Sequence, residues 1–299
     1  MMHATSMNTL NIIGAGRAGR TLAALWRRRG VFDIQCVMNR TTAGTREAVA
    51  FIGAGGACER VQALQPASVW LIATPDGEIT TLGQALATSG VLRAGDTVFQ
   101  LSGATPSSEL RAVLPAAVFV ASVHPLKSFA DPATAVANFA GTWCVMEGMP
   151  AALAVLQPAF EQIGARVTQI DAHHKTLYHA ASVMVCNYLT ALMEAGLQCF
   201  DKASLPRATA SAMMEPLVRD TLDNVFKLGT MNALTGPIAR GDHAVVARQL
   251  DALQAADAPL AEVYRALGVV AVELSRQQGG ASEAALTIVR DLLQPPRNL

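Results

Sequence analysis

Short apolar runs alternate with amphipathic stretches over the first 170 residues, and then the alternation stops. The runs Leu10–Ile13, Ile34–Met38, Val69–Ala73, Thr97–Leu101 and Val118–Val123 predict five strands, and Trp143–Met146 and Arg166–Ile170 predict two more. A helical pattern over Ala151–Ile163 separates the last two. Strands spaced by helical segments build a parallel sheet with crossover helices. The run Val69-Trp-Leu-Ile-Ala73 is apolar at every position, as burial on both faces requires. After Asp171 the spacing is helical throughout. Helices are predicted over Ala172–Phe200, Pro206–Lys227, Asp242–Leu253, Pro259–Gln277 and Ser282–Leu293, with breaks at Gly229, Gly236-Pro237, Gly241 and Gly279-Gly280. The expectation is a doubly wound parallel α/β domain over 1–170 and an all-α domain over 171–299.

The first predicted strand runs directly into Gly14-Ala-Gly-Arg-Ala-Gly19, and an amphipathic segment, Arg17–Arg29, follows at once. In G-x-G-x-x-G the first glycine makes the tight turn. The second lets the backbone approach a pyrophosphate, and the third lets helix and strand pack closely. Free N–H groups at the helix start favour the phosphate's negative charge. The motif in this context predicts a Rossmann-like dinucleotide site formed by Gly14, Ala15, Gly16, Arg17, Ala18 and Gly19. The second strand ends in Met38-Asn-Arg-Thr-Thr42, with no acid to hold ribose hydroxyls. Arg40 can stack on adenine and pair with a 2′-phosphate, and Asn39 and Thr41 can hydrogen-bond it. NADP is therefore expected rather than NAD, unless Arg40 is simply a solvated loop residue.

Ligands of open α/β sheets lie outside the carboxyl ends of the strands. There the sequence places Thr74-Pro75-Asp76, expected to line the dinucleotide, then Ser102-Gly103, expected to bind the cofactor where its nicotinamide would sit, and then His124-Pro125. His124 has the chemistry to exchange the proton that accompanies hydride transfer at a C–OH or C–NH centre; the alternative is a histidine capping a strand end. Ser102 can orient the same oxygen, and Lys127 can supply charge for a carboxylate. On the long helix Lys175, His179, Ser182 and Cys186 share one face, which reads as lining a cleft. Otherwise Lys175 belongs to a solvated helix start and His179 is a satisfied core histidine. Asn187 lies off that stripe. Arg240, in the Gly-rich connector Leu234–Asp242, can bind an anionic group or pair with Asp242, which suits an N-cap. No HExxH, Cys/His set or carboxylate cluster suggests a metal site.

Composition narrows the partners. A formal net charge of zero argues against nucleic acid or an anionic membrane as a main partner, and the longest apolar stretches, such as Leu267–Val272, fall well short of the ~20 residues that a membrane span needs. The cysteines Cys36, Cys58, Cys144, Cys186 and Cys199 are odd in number and scattered, as buried reduced thiols of a cytoplasmic protein would be. Met1–Asn8 reads as a frayed leader without a signal pattern. Long apolar helices make a homodimer the expected assembly.

Four segments carry a resemblance: Ile13–Gly19, His124-Pro-Leu-Lys-Ser-Phe129, Leu177-Tyr-His-Ala-Ala181 with Asn187-Tyr-Leu189, and Leu234-Thr-Gly-Pro-Ile-Ala-Arg-Gly-Asp242. Through them the chain resembles the two-domain NADP-dependent reductases and dehydrogenases. These include pyrroline-5-carboxylate reductase, ketopantoate reductase, 6-phosphogluconate dehydrogenase, 3-hydroxyisobutyrate dehydrogenase and prephenate dehydrogenase. It resembles in particular a bacterial group of oxidoreductases with a Rossmann-like N-terminal domain and a helical C-terminal domain of unknown function. The resemblance implies an NADP-linked oxidoreductase acting on a small, anionic alcohol/ketone or amine/imine, with its site between domains and dimerisation through the helical domain. Ser102 and His124-Pro125 are similar in placement to the Ser and His-Pro of prephenate dehydrogenases, although Leu126-Lys127-Ser128 replaces the usual Gly-acid continuation. Aligned with ketopantoate reductases, His179 falls where they carry a catalytic Lys, and Lys175 sits one turn earlier. Catalysis is thus expected from among His124, Ser102, His179 and Lys175, and substrate binding from Lys127, Asn187 and Arg240. Two rival readings are a non-catalytic NADP-binding sensor or interaction protein and a deazaflavin-dependent enzyme.

Overall fold

The computed structural model describes residues 7–294, so most of the N-terminal leader segment lies outside the described residues. Of that segment, Asn8 is already tied to the sheet, its carbonyl accepting from the Asp33 N–H at 3.0 Å. The chain folds into two compact units, Met1–Val185 and Cys186–Leu299.

The first unit is an eight-stranded sheet flanked by helices. In chain order it comprises β1 (Thr9–Ile13), α1 (Arg17–Arg29), β2 (Asp33–Met38), α2 (Thr42–Ile52), β3 (Gly56–Cys58), β4 (Val69–Ile72) and α3 (Asp76–Ser89). There follow β5 (Thr97–Gln100), α4 (Ser107–Val113), β6 (Phe119–Pro125), α5 (Pro132–Ala137), β7 (Trp143–Gly148), α6 (Pro150–Gln162) and β8 (Arg166–Gln169). The strand order is β3-β2-β1-β4-β5-β6-β7-β8. The first six strands are parallel, as the crossover pattern requires. β7 pairs antiparallel with β6, and β8 follows β7 in parallel. The sheet is therefore mostly parallel, with its last two strands reversed.

Trp26 of α1 is wholly buried and organises the core on one face. Its indole meets Phe32, Phe99 and Phe160 edge-on, with ring centroids 5.1–6.2 Å apart, and its N–H donates to the Ala159 carbonyl at 3.0 Å. Each such aromatic pair adds about 0.5–1.5 kcal/mol beyond simple burial. Asn11 is buried in β1 where the pairing with β2 skips Gln35. Its side chain repairs the gap by accepting from the Cys36 N–H at 3.0 Å and donating to the Gln65 carbonyl at 2.6 Å.

The chain then enters α7 (Lys175–Lys202), within which the division between units falls. The second unit continues with α8 (Arg207–Ala233), α9 (Gly236–Ala239), α10 (His243–Ala256), α11 (Ala258–Gln278) and α12 (Glu283–Leu292). Gly229 takes φ +80° and interrupts α8 where the sequence marks a break. Ile238, Val246, Val272, Leu286, Val289 and Leu293 form a small core. Asp242 caps α10, accepting from the Val245 N–H at 3.1 Å. By length and composition the helix from Ala172 to Lys202 could cross a membrane, and only 6% of its most apolar window is buried. The cysteines are all free, but only Cys36 and Cys144 are buried. Cys186 is exposed, contrary to the expectation of uniformly buried thiols, because it lies on an uncovered face of α7.

Candidate active site at the carboxyl edge of the sheet

The turn between β1 and α1 has the geometry that its glycines dictate. Gly14 takes φ +86°, and a Cβ there would stand 2.4 Å from Thr74 Cγ2. A Cβ on Gly19 would meet the Gly14 carbonyl oxygen at 2.7 Å, so helix and turn touch through this residue. Gly16 differs from both: a Cβ there would meet nothing within 4 Å. It is the N-cap of α1 and offers no side-chain cap to the first-turn N–H groups, which leaves donors directed at open space.

That space is a cleft of about 460 Å³ lined by Gly14, Gly16, Asn39, Arg40, Thr41 and Thr74, among others. Pro75 and Glu78 complete one wall. Asn39 is fixed by its amide, which donates to the Gly44 carbonyl at 2.9 Å, and Thr41 caps α2 by accepting from the Gly44 N–H at 3.2 Å. Arg40 is exposed and makes no salt bridge among the described residues. Thr74 Oγ1 is buried without a hydrogen-bond partner, a costly state unless a ligand supplies one. A glycine facing empty volume, uncapped N–H groups, an orphaned hydroxyl and an unpaired guanidinium together fit a phosphorylated dinucleotide. Of the predicted lining, Ala15 is buried behind the turn, while Arg17 is exposed and Ala18 half-buried.

Two strands further along the same edge, the loop after β5 is held rigid. Ser102 Oγ donates to Asp76 Oδ2 at 2.7 Å and accepts from the N–H groups of Ala104 and Thr105 at 3.1 and 2.8 Å. The hydroxyl is fully engaged in shaping the turn. Gly103 follows, pressed against two imidazoles: a Cβ there would stand 2.4 Å from His179 Cδ2 and 2.8 Å from His124 Cε1.

His124, at the end of β6, is half-buried. Its Nδ1 lies 2.8 Å from Tyr178 Oη of α7, and its ring centroid is 5.9 Å from that of His179. Burial, reinforced by the charges of His179 and Lys175, lowers its pKa to about 4, against a smaller opposing pull from Asp76. Burial pushes the Tyr178 phenol up to about 12, and the Ser182 hydroxyl donates to the Tyr178 main-chain carbonyl at 3.2 Å.

Lys175 is 1% exposed. Its ammonium donates to Ser122 Oγ and, at 3.1 Å, to Glu147 Oε1. Glu147, a buried acid in β7, also accepts from the N–H and Oγ of Ser107 at 2.7 and 2.6 Å, which anchors the start of α4. Ser122 Oγ in turn donates to the Ser102 carbonyl at 3.2 Å. Burial lowers the Lys175 pKa, and Glu147 opposes that shift. The residue thus braces the site from inside the protein.

The remaining sequence candidates lie elsewhere. Lys127 donates to the Asn138 carbonyl at 2.9 Å. Asn187 and Arg240 are exposed and belong to the second unit. That unit holds a separate cleft of about 320 Å³ among α7, α10 and α11, with an almost wholly aliphatic lining.

Residues 4–125 match the profile of a Rossmann-like domain, and residues 142–270 match a domain of unknown function, DUF2520. The chain joins a Rossmann-like domain to a DUF2520 domain. His124 falls at the end of the Rossmann-like segment, whereas Glu147, Lys175, Tyr178 and His179 belong to the DUF2520 segment. The site is therefore assembled from both. No curated protein matches the chain. Among solved structures it is similar to a Bacteroides fragilis protein described as a candidate NADP oxidoreductase (22% identity, TM-score 0.70, covering 91% of this chain and 98% of that one). A Thermotoga maritima protein is similar at 21% identity and TM-score 0.68, covering 95% and 98%. An imine reductase of Myxococcus stipitatus in complex with NADP⁺ is similar at 17% identity and TM-score 0.63, covering 96% and 100%. These likenesses establish a shared fold.

Tyr178 and Glu147 were not singled out as site residues in the sequence. Tyr178 stands in the segment Leu177–Ala181, but its role depends on β6 lying opposite, which no local pattern encodes. Glu147 carries a signal of its own, since an acid inside an apolar strand needs a partner.

Proposed function

We propose that the protein is an NADP-dependent oxidoreductase that moves a hydride to or from a small, carboxylate-bearing substrate held beside Gly103. The observation that carries this reading is that the cleft at the start of α1 and the imidazole of His124 open on the same carboxyl edge of one sheet. The fold shared with NADP-linked oxidoreductases supports it.

The pyrophosphate takes the N–H groups around Gly16, with the Thr74 hydroxyl as a further partner, and Arg40 takes the 2′-phosphate. When bound, the nicotinamide supplies or accepts the hydride. His124 handles the accompanying proton, and His179 closes the other side of the pocket. Ser102, Glu147 and Lys175 are positioning residues: they fix the loop that carries Gly103 and the helix that carries His179. For the anionic group of the substrate, Lys127 is the candidate cation of the same unit. We also take the protein to be a soluble cytoplasmic homodimer that associates through its helical unit.

A thermal-shift titration with NADP⁺, NADPH, NAD⁺ and NADH tests the reading. A ligand that binds only the native state must raise Tm. The expected result is a rise selective for the phosphorylated pair, and its loss in Arg40→Ala. No shift with any of the four would overturn the reading in favour of a deazaflavin partner or a protein without redox chemistry.

A further inference from the structure

Gly103 has no backbone reason to be glycine. Its φ lies outside the left-handed region, so the main chain there would accept an L side chain. What excludes a side chain is a pair of imidazoles. A Cβ at Gly103 would stand 2.4 Å from His179 Cδ2, 2.8 Å from His124 Cε1 and 3.0 Å from His124 Nδ1. The rings come from α7 and β6, and their centroids are 5.9 Å apart with the planes at 68°. Both are half-buried. His124 Nδ1 lies 2.8 Å from Tyr178 Oη, which leaves its Nε2 free. Neither ring nitrogen of His179 has a hydrogen-bond partner among the described residues.

The charges around the pair favour one proton and oppose a second. On α7, Lys175 is buried against Glu147 of β7 at 3.1 Å, so those two charges offset each other. Asp76, at the start of α3, faces His124 and accepts from Ser102 Oγ at 2.7 Å. It has no ion-pair partner among the described residues. Tyr178, and Cys144 of β7 beside it, are the other titratable neighbours. The uncompensated charge near the rings is thus the Asp76 carboxylate. One imidazolium balances it, and two imidazolium rings this close repel each other.

Within the oxidoreductase reading, we propose that Gly103 is a positioning residue whose missing side chain lets His124 and His179 converge on one substrate atom, and that the two imidazoles serve as a single acid–base unit holding one proton between them.

A lone imidazole must be charged to give a proton and neutral to take one. A pair with one proton contains both forms at once, so the same site serves reduction and oxidation at one pH. In reduction the two-electron donor is the reduced nicotinamide of NADPH. As hydride reaches the carbon of C=O or C=N, the π pair moves to the oxygen or nitrogen, which takes the proton held by the rings. The pair is left neutral and regains its proton from solvent. In oxidation the neutral ring takes the proton of the hydroxyl or amine as hydride leaves.

Three measurements on the full-length protein test the pairing. The first is an NMR titration of the histidine rings, with each assigned by loss of its signals in His124→Gln or His179→Gln. The His124 midpoint should rise by about one pH unit in His179→Gln, because the imidazolium that opposed a second proton is gone. The second is a thermal-melt cycle. Gly103→Ala should lower Tm, and His179→Ala should restore part of that loss by making room for the methyl group. If Gly103→Ala does not fold, the double variant must. The third is the same cycle in turnover. Each single substitution should lower kcat by about 100-fold with NADPH affinity nearly unchanged. The double variant should lose little beyond His179→Ala alone, since the methyl group then has no second ring to displace. A His124 midpoint indifferent to His179→Gln, losses in Tm or kcat that simply add, or loss of NADPH binding in Gly103→Ala would overturn the proposal. The two failures are separable. Absence of NADPH-dependent stabilisation in the parent removes the oxidoreductase reading, whereas the ring titration and the melting cycle decide the pairing whether or not NADPH binds.

Discussion

At the scale of single residues, His124 has a consequence for stability as well as for catalysis. Its pKa falls from 6.5 to about 4 in the folded chain. Between those values the unfolded chain binds a proton that the native chain does not, so stability rises with pH through that window. The contribution is fully present above 6.5 and is lost as the pH falls toward 4. Thermal melts should therefore show a decline in Tm over that interval that is shallower in His124→Gln. In turnover assays near neutrality, His124→Ala should cost about 100-fold or more while leaving NADPH affinity nearly intact. An equal loss of turnover and of NADPH affinity would mean that the residue shapes the cofactor site instead. His124 was legible in the sequence because a strand end is where an α/β sheet does its chemistry. What the imidazole faces was not legible: Tyr178 comes from 54 residues further along the chain. Lys175 was legible as a candidate, but its burial against Glu147 depends on a strand whose direction the sequence did not reveal.

At the scale of elements, the glycines of the β1–α1 turn divide the labour in a way that substitution can separate. Gly16→Ala places a methyl group where the protein has nothing within 4 Å. Its stability should stay within about 1 kcal/mol of the parent, the range for a changed N-cap. Its affinity for NADPH should fall by roughly tenfold or more, because the methyl occupies the approach of the pyrophosphate. Gly14→Ala should do the reverse, losing about 1–3 kcal/mol, since φ is +86° and Thr74 and Ala73 crowd the new Cβ. Thermal melts and a binding titration on both variants check the contrast. A second pair ties α7 to the sheet. Lys175→Met leaves Glu147 as an unpaired buried acid and should cost about 3–5 kcal/mol. Adding Glu147→Gln should recover part of that loss, as chemical denaturation of the single and double variants would reveal. Seven of the eight strands and the five long C-terminal helices were legible from periodicity and from breakers such as Gly229. β3 escaped because Gly56-Ala-Cys58 is too short and too small to carry a pattern. The reversal of β7 also escaped, because the apolar run Trp143–Met146 reads the same in either direction and the turn before it is irregular.

At the scale of the whole molecule, α7 and α8 present several large apolar side chains to water. Of the 27 residues of α8 only Ala210 is buried, while Met213, Leu217 and Leu228 are exposed and Phe226 is 87% exposed. On α7, Met184, Val185, Tyr188 and Leu192 are exposed as well. Fully burying one such side chain is worth about 1.5–3 kcal/mol, so covering several would offset the cost of association. A net charge of zero offers no repulsion against a second copy. A homodimer through these faces is the assembly proposed above, and it makes two linked predictions. Light scattering should give twice the mass of the chain, and Tm should rise with protein concentration because unfolding is then coupled to dissociation. Replacing both Leu217 and Phe226 with Glu should yield a monomer whose Tm is independent of concentration. Neither residue lies in the unit that carries His124, so NADPH binding should survive in that monomer if the Met1–Val185 unit holds the cofactor by itself. A wild-type protein that scatters as a monomer at every concentration would show that the apolar faces serve another partner. Since α7 is long and apolar enough to span a bilayer, flotation with lipid vesicles would then be the next measurement.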